Sequence, residues 1–199
     1  MAVLPIRIVG DPVLRTPSEP VTEFGPELAR LVRDMEETML DVEGAGLAAP
    51  QVGVSLRLFT YAVDGRRGHV VNPVLEVGDA LQTDGSEGCL SVPGLGYRTV
   101  RAEWARVRGV DVDGVPVEVE GTGLLARCLQ HETDHLDGKL YIDGLEGPER
   151  KDALRRIRAG QFNQVAESTQ ASRARSVGSV FGASLGHGSV GHRTDGGAR

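Results

Sequence analysis

The feature that most constrains this chain is a pentad, His131-Glu132-Thr133-Asp134-His135, in a stretch otherwise built from Leu124, Leu125, Cys128, Leu129 and Leu136. Read as a helix, the stretch is largely apolar, so it belongs inside a domain with other elements wrapped around it. Positions i and i+4 share a helical face about 6 Å apart along the axis, and two imidazoles so placed can converge on one metal ion. Glu132 is turned about 100° from His131, within reach of a metal-bound water without being a ligand. At this chain's His and Glu content, about 0.01 such patterns are expected by chance. The bland alternative is a polar face with two solvated histidines. The surrounding leucines argue against it, because neutral histidines on a buried helix need partners.

The helix does not itself supply a third ligand. An extended H-x-x-G-x-x-H pattern would use Gly138 but meets Tyr141 where the last histidine should stand. No glutamate stands about twenty residues downstream, where other zinc helices find theirs. Cys128 shares the face of His131, yet it lies about 10 Å along the axis from His135, and a cysteine side chain is short. Cys89 remains, in the turn-like segment Glu87-Gly88-Cys89-Leu90-Ser91. Gly88 permits close backbone approach, and a thiolate there could complete a Cys-His-His site with one open position. A free cysteine that is simply buried is the alternative.

The rest of the chain supplies the surroundings. Pro26 opens a helix whose apolar face runs through Leu28, Leu31, Val32, Met35, Met39 and Val42, ending near Gly44. Residues 57–63 and 69–77 read as strands, with Gly65 and Gly68 between them. Residues 84–96 are rich in Gly and Pro and read as turn. Trp104–Val112 and Val115–Val119 alternate and meet at Asp113-Gly114, a hairpin signal. Thr122 is placed to cap the pentad helix, Gly138 to end it, and Pro148 to open a short basic helix. This order predicts an α+β fold, antiparallel β-sheets packed around the central helix that carries the pentad. Residues 161–199, Gly- and Ser-rich, read as a disordered or loosely attached tail in which Val180-Phe181 is the apolar hint.

Composition excludes several functions. The 199 residues carry net charge −6, and −8 over the first 159, so the domain repels a phosphate backbone. Eight aromatics leave little for base stacking. No apolar run approaches the roughly 18 residues of a membrane span, and Met-Ala-Val-Leu-Pro does not start like a secretion signal. Two cysteines make no disulfide framework. The expectation is a reduced, cytoplasmic protein whose metal serves chemistry, since some 160 residues bury enough surface to fold without one.

Three segments together resemble one family, the peptide deformylases: Gly44-Ala45-Gly46-Leu47-Ala48-Ala49-Pro50-Gln51, then Glu87-Gly88-Cys89-Leu90-Ser91, then Gln130-His131-Glu132-Thr133-Asp134-His135. The third alone is shared with many metalloproteases; the trio in this order is specific, and the likeness covers residues 1–160. It implies removal of the N-formyl group from the initiator methionine of new bacterial proteins. It also implies Cys89, His131 and His135 as metal ligands, Fe2+ as the metal with Zn2+, Ni2+ or Co2+ able to replace it, and Glu132 as general base and then acid. Gln51 and the backbone N–H of Leu90 would face the oxyanion.

A methionyl substrate calls for an apolar pocket beside the metal. Leu124 and Cys128, one stripe with His131, are candidates for its wall, with ordinary core as their alternative. Gly44, Ala45 and Gly46 offer an extended edge to the peptide backbone. Glu87 and Arg101 could brace the Cys89 turn, with an idle surface pair as the default reading. Arg98, Thr99 and Val100 depart from the family's Val-Pro-Arg run, which touches the substrate rim. Arg150, Lys151, Arg155, Arg156 and Arg158 make the third helix a candidate for transient ribosome contact, with a solvated helix as the default. Rival readings are a metalloendopeptidase, against which the missing downstream ligand counts, and a structural metal module, which needs a fourth protein ligand.

Overall fold

The computed structural model describes residues 2–159 and residue 169. Among them, five strands form the main antiparallel sheet, in the order β1 (Gly46–Ala48), β2 (Leu58–Val63), β3 (Arg66–Val77), β8 (Trp104–Val110) and β9 (Pro116–Thr122). Two short pairs stand beside it: β4 (Leu81–Gln82) with β7 (Arg101–Ala102), and β5 (Ser86–Cys89) with β6 (Val92–Arg98). The helices are α1 (Pro26–Asp41), α2 (Gly123–Leu136) and α3 (Gly147–Arg158). The fold is α+β with antiparallel sheets, as the order of patterns predicts.

Alternation along β2 explains the layering. Phe59, Tyr61 and Val63 join Val70, Ala105, Val107 and Val119 on one face and meet Leu125, Cys128 and Leu129 of α2. Leu58 and Ala62 point the other way, with Val71, toward Leu28, Val32, Met35 and Met39 of α1. The sheet is thus covered on both sides, and β2, rather than alternating, is apolar on both faces except at the buried Thr60. Each full burial of a leucine or valine contributes about 1.5–3 kcal/mol. A third apolar cluster joins Val92 and Leu95 to Leu140, Tyr141, Ile142 and Ala153, seating the β5–β6 hairpin against the chain that follows α2.

The end of α2 is fixed where the second histidine needs it. Gly138 takes φ +72°, its N–H donates to His135 O at 3.1 Å, and Lys139 N–H donates to Asp134 O at 2.9 Å. This paired closure demands a residue at ease in the left-handed region. A Cβ there would also lie 2.9 Å from the Arg15 backbone. Arg57 adds bonds to Leu136 O and Asp137 Oδ1. At the other end Thr122 precedes the helix, but its side chain makes no capping bond; the Gly123 N–H is taken instead by Glu103 O at 3.1 Å.

Two expectations need revision. Residues 84–96 are not simply turn: Ser86–Cys89 and Val92–Arg98 pair as a hairpin. Its glycines and proline mask the strand signal, and the register slips between Gly88 and Cys89, a bulge that re-aims the cysteine. Strand β3 begins at Arg66 because the turn is the two-residue Asp64-Gly65, both with positive φ. The tail and its Val180-Phe181 lie outside the described residues, Thr169 excepted. No helix among the described residues is long and apolar enough to cross a membrane.

Candidate metal centre

Helix α2 is buried almost all round, with leucines against the sheet and the pentad facing β1 and the β5–β6 hairpin. The bulge at Gly88/Cys89 turns the cysteine toward the two histidines. Cys89 Sγ lies 3.3 Å from His135 Nε2, and one ligand atom from each of Cys89, His131 and His135 falls within 4.8 Å of the others. Cys128 does not join them: its Sγ donates to Ala45 O at 3.3 Å, and burial pushes its thiol well up.

The arrangement fits a divalent cation. Metal–sulfur bonds of about 2.3 Å and metal–nitrogen bonds of about 2.0–2.1 Å put tetrahedral ligand atoms some 3.3–3.6 Å apart; the Cys89–His135 pair already stands at 3.3 Å, and all three ligand atoms lie within 4.8 Å of one another. Burial holds the His135 imidazole well below its ordinary value, in the neutral form that can ligate. His131 Nδ1 is 3.1 Å from Glu87 Oε2, which leaves Nε2 to face inward. An imidazole braced by a carboxylate through its other nitrogen is the usual condition of a metal-bound histidine.

Glu132 is 3% exposed, its Oε2 has no hydrogen-bond partner among the described residues, and burial raises its carboxyl to about 7. A Cβ on Gly46 of β1 would lie only 2.4 Å from Glu132 Oε1, so the glycine makes room for the carboxylate. Gln51 is 1% exposed. Its Oε1 accepts from Ala48 N–H at 2.8 Å, which turns Nε2 toward Ser91 Oγ at 3.2 Å and Cys89 Sγ at 3.7 Å. That backbone bond fixes which end of the amide faces the site.

A cavity of about 550 Å³ opens over these groups. Gly44, Ala45, Gly46, Leu90, Leu124 and Cys128 line it, with Gln51, Cys89, His131 and Glu132 at its base. Strand β1 is the edge of the main sheet. Leu124 is 55% exposed and stands at the rim. Pro93, Gly94 and Leu95 of β6 form a wall that sequence reasoning did not name, and Thr169 also lines the cavity.

Of the two readings of Glu87 and Arg101, the idle surface pair fails and the brace holds. Glu87 is 4% exposed, bound by Arg101 Nε at 2.7 Å and Nη2 at 3.0 Å, and it reaches His131. Burial alone would raise its carboxyl, but hydrogen bonds from His131 and Arg101 outweigh that and hold it well below the usual range. Arg101 Nη1 also binds Asp134, at 2.6 Å.

Residues 3–151 match the family model of the polypeptide deformylases. A peptide deformylase of Acidothermus cellulolyticus is 56% identical over 181 residues, covering 89% of this chain and all of that protein. One from Mycobacterium sp. (strain JLS) is 53% identical over 175 residues, 79% of this chain and 89% of the relative. Among solved structures, the peptide deformylase of Legionella pneumophila superposes with a TM-score of 0.77 at 41% identity, covering 83% of this chain and 98% of that one. That of Synechococcus elongatus in complex with actinonin gives 0.74 at 37%, covering 81% and 90%.

Proposed function

The chain belongs to the polypeptide deformylase family, metal-dependent hydrolases that remove the N-formyl group from the N-terminal methionine of newly synthesised proteins, and from that premise we propose how its residues divide the work. Residues 1–160 form the catalytic domain, and residues 161–199 are an extension of it. Cys89, His131 and His135 hold the metal, Fe2+ in the first place, with Zn2+, Ni2+ or Co2+ as replacements. When bound, the ion supplies a water acidified toward neutrality and an electrophile for the formyl oxygen.

Glu132 takes a proton from the attacking water and returns it to the departing amine, so that water and formamide leave as formate and a free N-terminus. A carboxyl held near neutrality by burial suits both directions of transfer. The charge that develops on the formyl oxygen meets Gln51 Nε2 and the Leu90 backbone N–H. Leu124 and Cys128 flank the methionine side chain. Gly44, Ala45 and Gly46, on and beside the free edge of β1, pair with the peptide backbone as an added strand. The partners are therefore formyl-methionyl nascent peptides in the cytoplasm, with the basic face of α3 available to the ribosome; neither a specific nucleic-acid site nor a membrane enters the reading.

The observation that carries this reading is the convergence of Cys89, His131 and His135 beneath the cavity that holds the Glu132 carboxylate, whose Oε2 has no hydrogen-bond partner among the described residues. The test is formate release from formyl-Met-Ala by anaerobically purified, metal-loaded protein, with casein cleavage assayed beside it. Formate without casein cleavage is expected; casein cleavage without formate would overturn the reading in favour of an endopeptidase.

A further inference from the structure

We infer that Arg127 is a positioning residue for the metal centre, the clamp that locks the cysteine-bearing hairpin to the histidine-bearing helix. Arg127 stands one helical turn before His131 on α2 and is 5% exposed. The two side chains grip opposite oxygens of one carboxylate: Arg127 Nη1 reaches Glu87 Oε1 at 3.1 Å, and His131 Nδ1 lies 3.1 Å from Oε2. Glu87 sits two residues from Cys89 on β5. Its position therefore sets both the aim of the imidazole and the approach of the thiol.

The same guanidinium holds the chain on either side of the hairpin. Nη1 donates to Thr99 Oγ1 at 2.6 Å and to Thr99 O at 3.0 Å, just after β6, and Nη2 donates to Gln82 Oε1 at 3.2 Å on β4. Gly85 lies flat against it: a Cβ there would come within 2.1 Å of Nη2. Thr99 N–H in turn donates to Gly85 O at 3.1 Å, closing the base of the hairpin over the guanidinium. Two arginines, 101 and 127, face two carboxylates, Glu87 and Asp134, so the charges in the cluster balance. Arg127 also borders the cavity, but its Nη1 and Nη2 donate to protein acceptors. An apolar side chain of the same length would fill the space and release all four acceptors. A lysine would restore the charge but not the planar fork that spans Glu87, Thr99 and Gln82.

This inference rests on Cys89, His131 and His135 being the ligands. The experiment compares wild type, Arg127→Met, Arg127→Lys and Thr99→Val, each loaded with Co2+. It follows the visible absorption of the bound cobalt, its release into excess chelator, and the melting temperature. Leu28→Ala, a cavity in the α1 core away from the site, is the comparator for general destabilisation. Loss of a group that orients metal ligands typically costs about 10–100-fold in affinity, so cobalt should leave Arg127→Met faster by that factor and with altered absorption bands. Arg127→Lys and Thr99→Val should fall between it and wild type, and Leu28→Ala should release at the wild-type rate. A folded Arg127→Met that releases cobalt within about twofold of wild type, or no faster than Leu28→Ala, overturns the inference. Should Arg127→Met fail to fold, Thr99→Val carries the same criterion, because it removes one bond and leaves the guanidinium in place. If Cys89→Ala retains cobalt as well as wild type does, the ligand assignment itself fails and the inference with it; that result is separate from equal release rates in proteins that all bind.

Discussion

Gly46→Ala tests the positioning of Glu132 without touching it. The added Cβ would stand 2.4 Å from Glu132 Oε1 and 2.7 Å from both Cγ and Cδ. Non-bonded carbon and oxygen need about 3.4 Å, so the carboxylate must retreat by roughly 1 Å. It has little freedom to do so, since Glu132 is 3% exposed and most of α2 around it is buried. A misplacement of that size at a reacting group costs about 10²-fold, or close to 2.7 kcal/mol in the barrier. Crowding a packed site costs about 1–3 kcal/mol of stability besides. The expected protein is folded, binds one metal per chain, and turns over formyl-Met-Ala about 10²-fold more slowly. Gly144→Ala is the comparator, since its Cβ would meet nothing within 4 Å. The assay is formate release at saturating substrate, with metal content measured on the same sample. Near wild-type kcat in a metal-replete Gly46→Ala protein would refute the placement of the Glu132 carboxylate as the moving part.

Three further outcomes follow from the same geometry. Cys89→Ala, His131→Ala and His135→Ala should each lose stoichiometric metal, whereas Cys128→Ala, whose thiol bonds Ala45 O and packs in the core rather than joining the three, should keep it; metal analysis after gel filtration decides. Glu132→Gln should retain metal and lose about 10²–10⁴-fold in kcat, the range for a general acid–base group, so a fully active variant would sink the proton-transfer role. Iron-loaded protein should be the most active form and decay over hours in air, because a ferrous ion beside a half-buried thiolate is open to oxidation, while nickel or cobalt forms persist; an iron form that air spares would refute the iron assignment.

The elements legible in the sequence are those whose signal is local. The apolar stripe of α1, the Asp113-Gly114 hairpin and the Gly138 stop after α2 each declare themselves within a few residues, and the structure places all three where the pattern does. The β5–β6 hairpin is illegible for the converse reason. Its strands carry Gly88, Pro93, Gly94 and Gly96, which suppress strand propensity, and its stability comes from Val92 and Leu95 packing on Leu140 and Ile142 across more than forty residues of chain. Propensity cannot report a contact of that range.

The site divides along the same line. His131, Glu132 and His135 follow from helical spacing alone, and Cys89 needed elimination and a family likeness, because its partners lie 42 and 46 residues away. Glu87 is hard to read because Glu-Arg pairs are common on surfaces, and nothing within its own segment announces burial. Arg127 did leave a mark: it is the one charged residue between Leu124 and Leu129 in an otherwise apolar run. A lone arginine inside a core helix must find acceptors, since an unpaired buried charge costs several kcal/mol. A buried acid elsewhere in the fold is the only partner that also cancels its charge. Glu87, flanked by Gly85 and Gly88 that let the backbone close in, is such a partner, and the acid that answers the arginine is the one that braces His131.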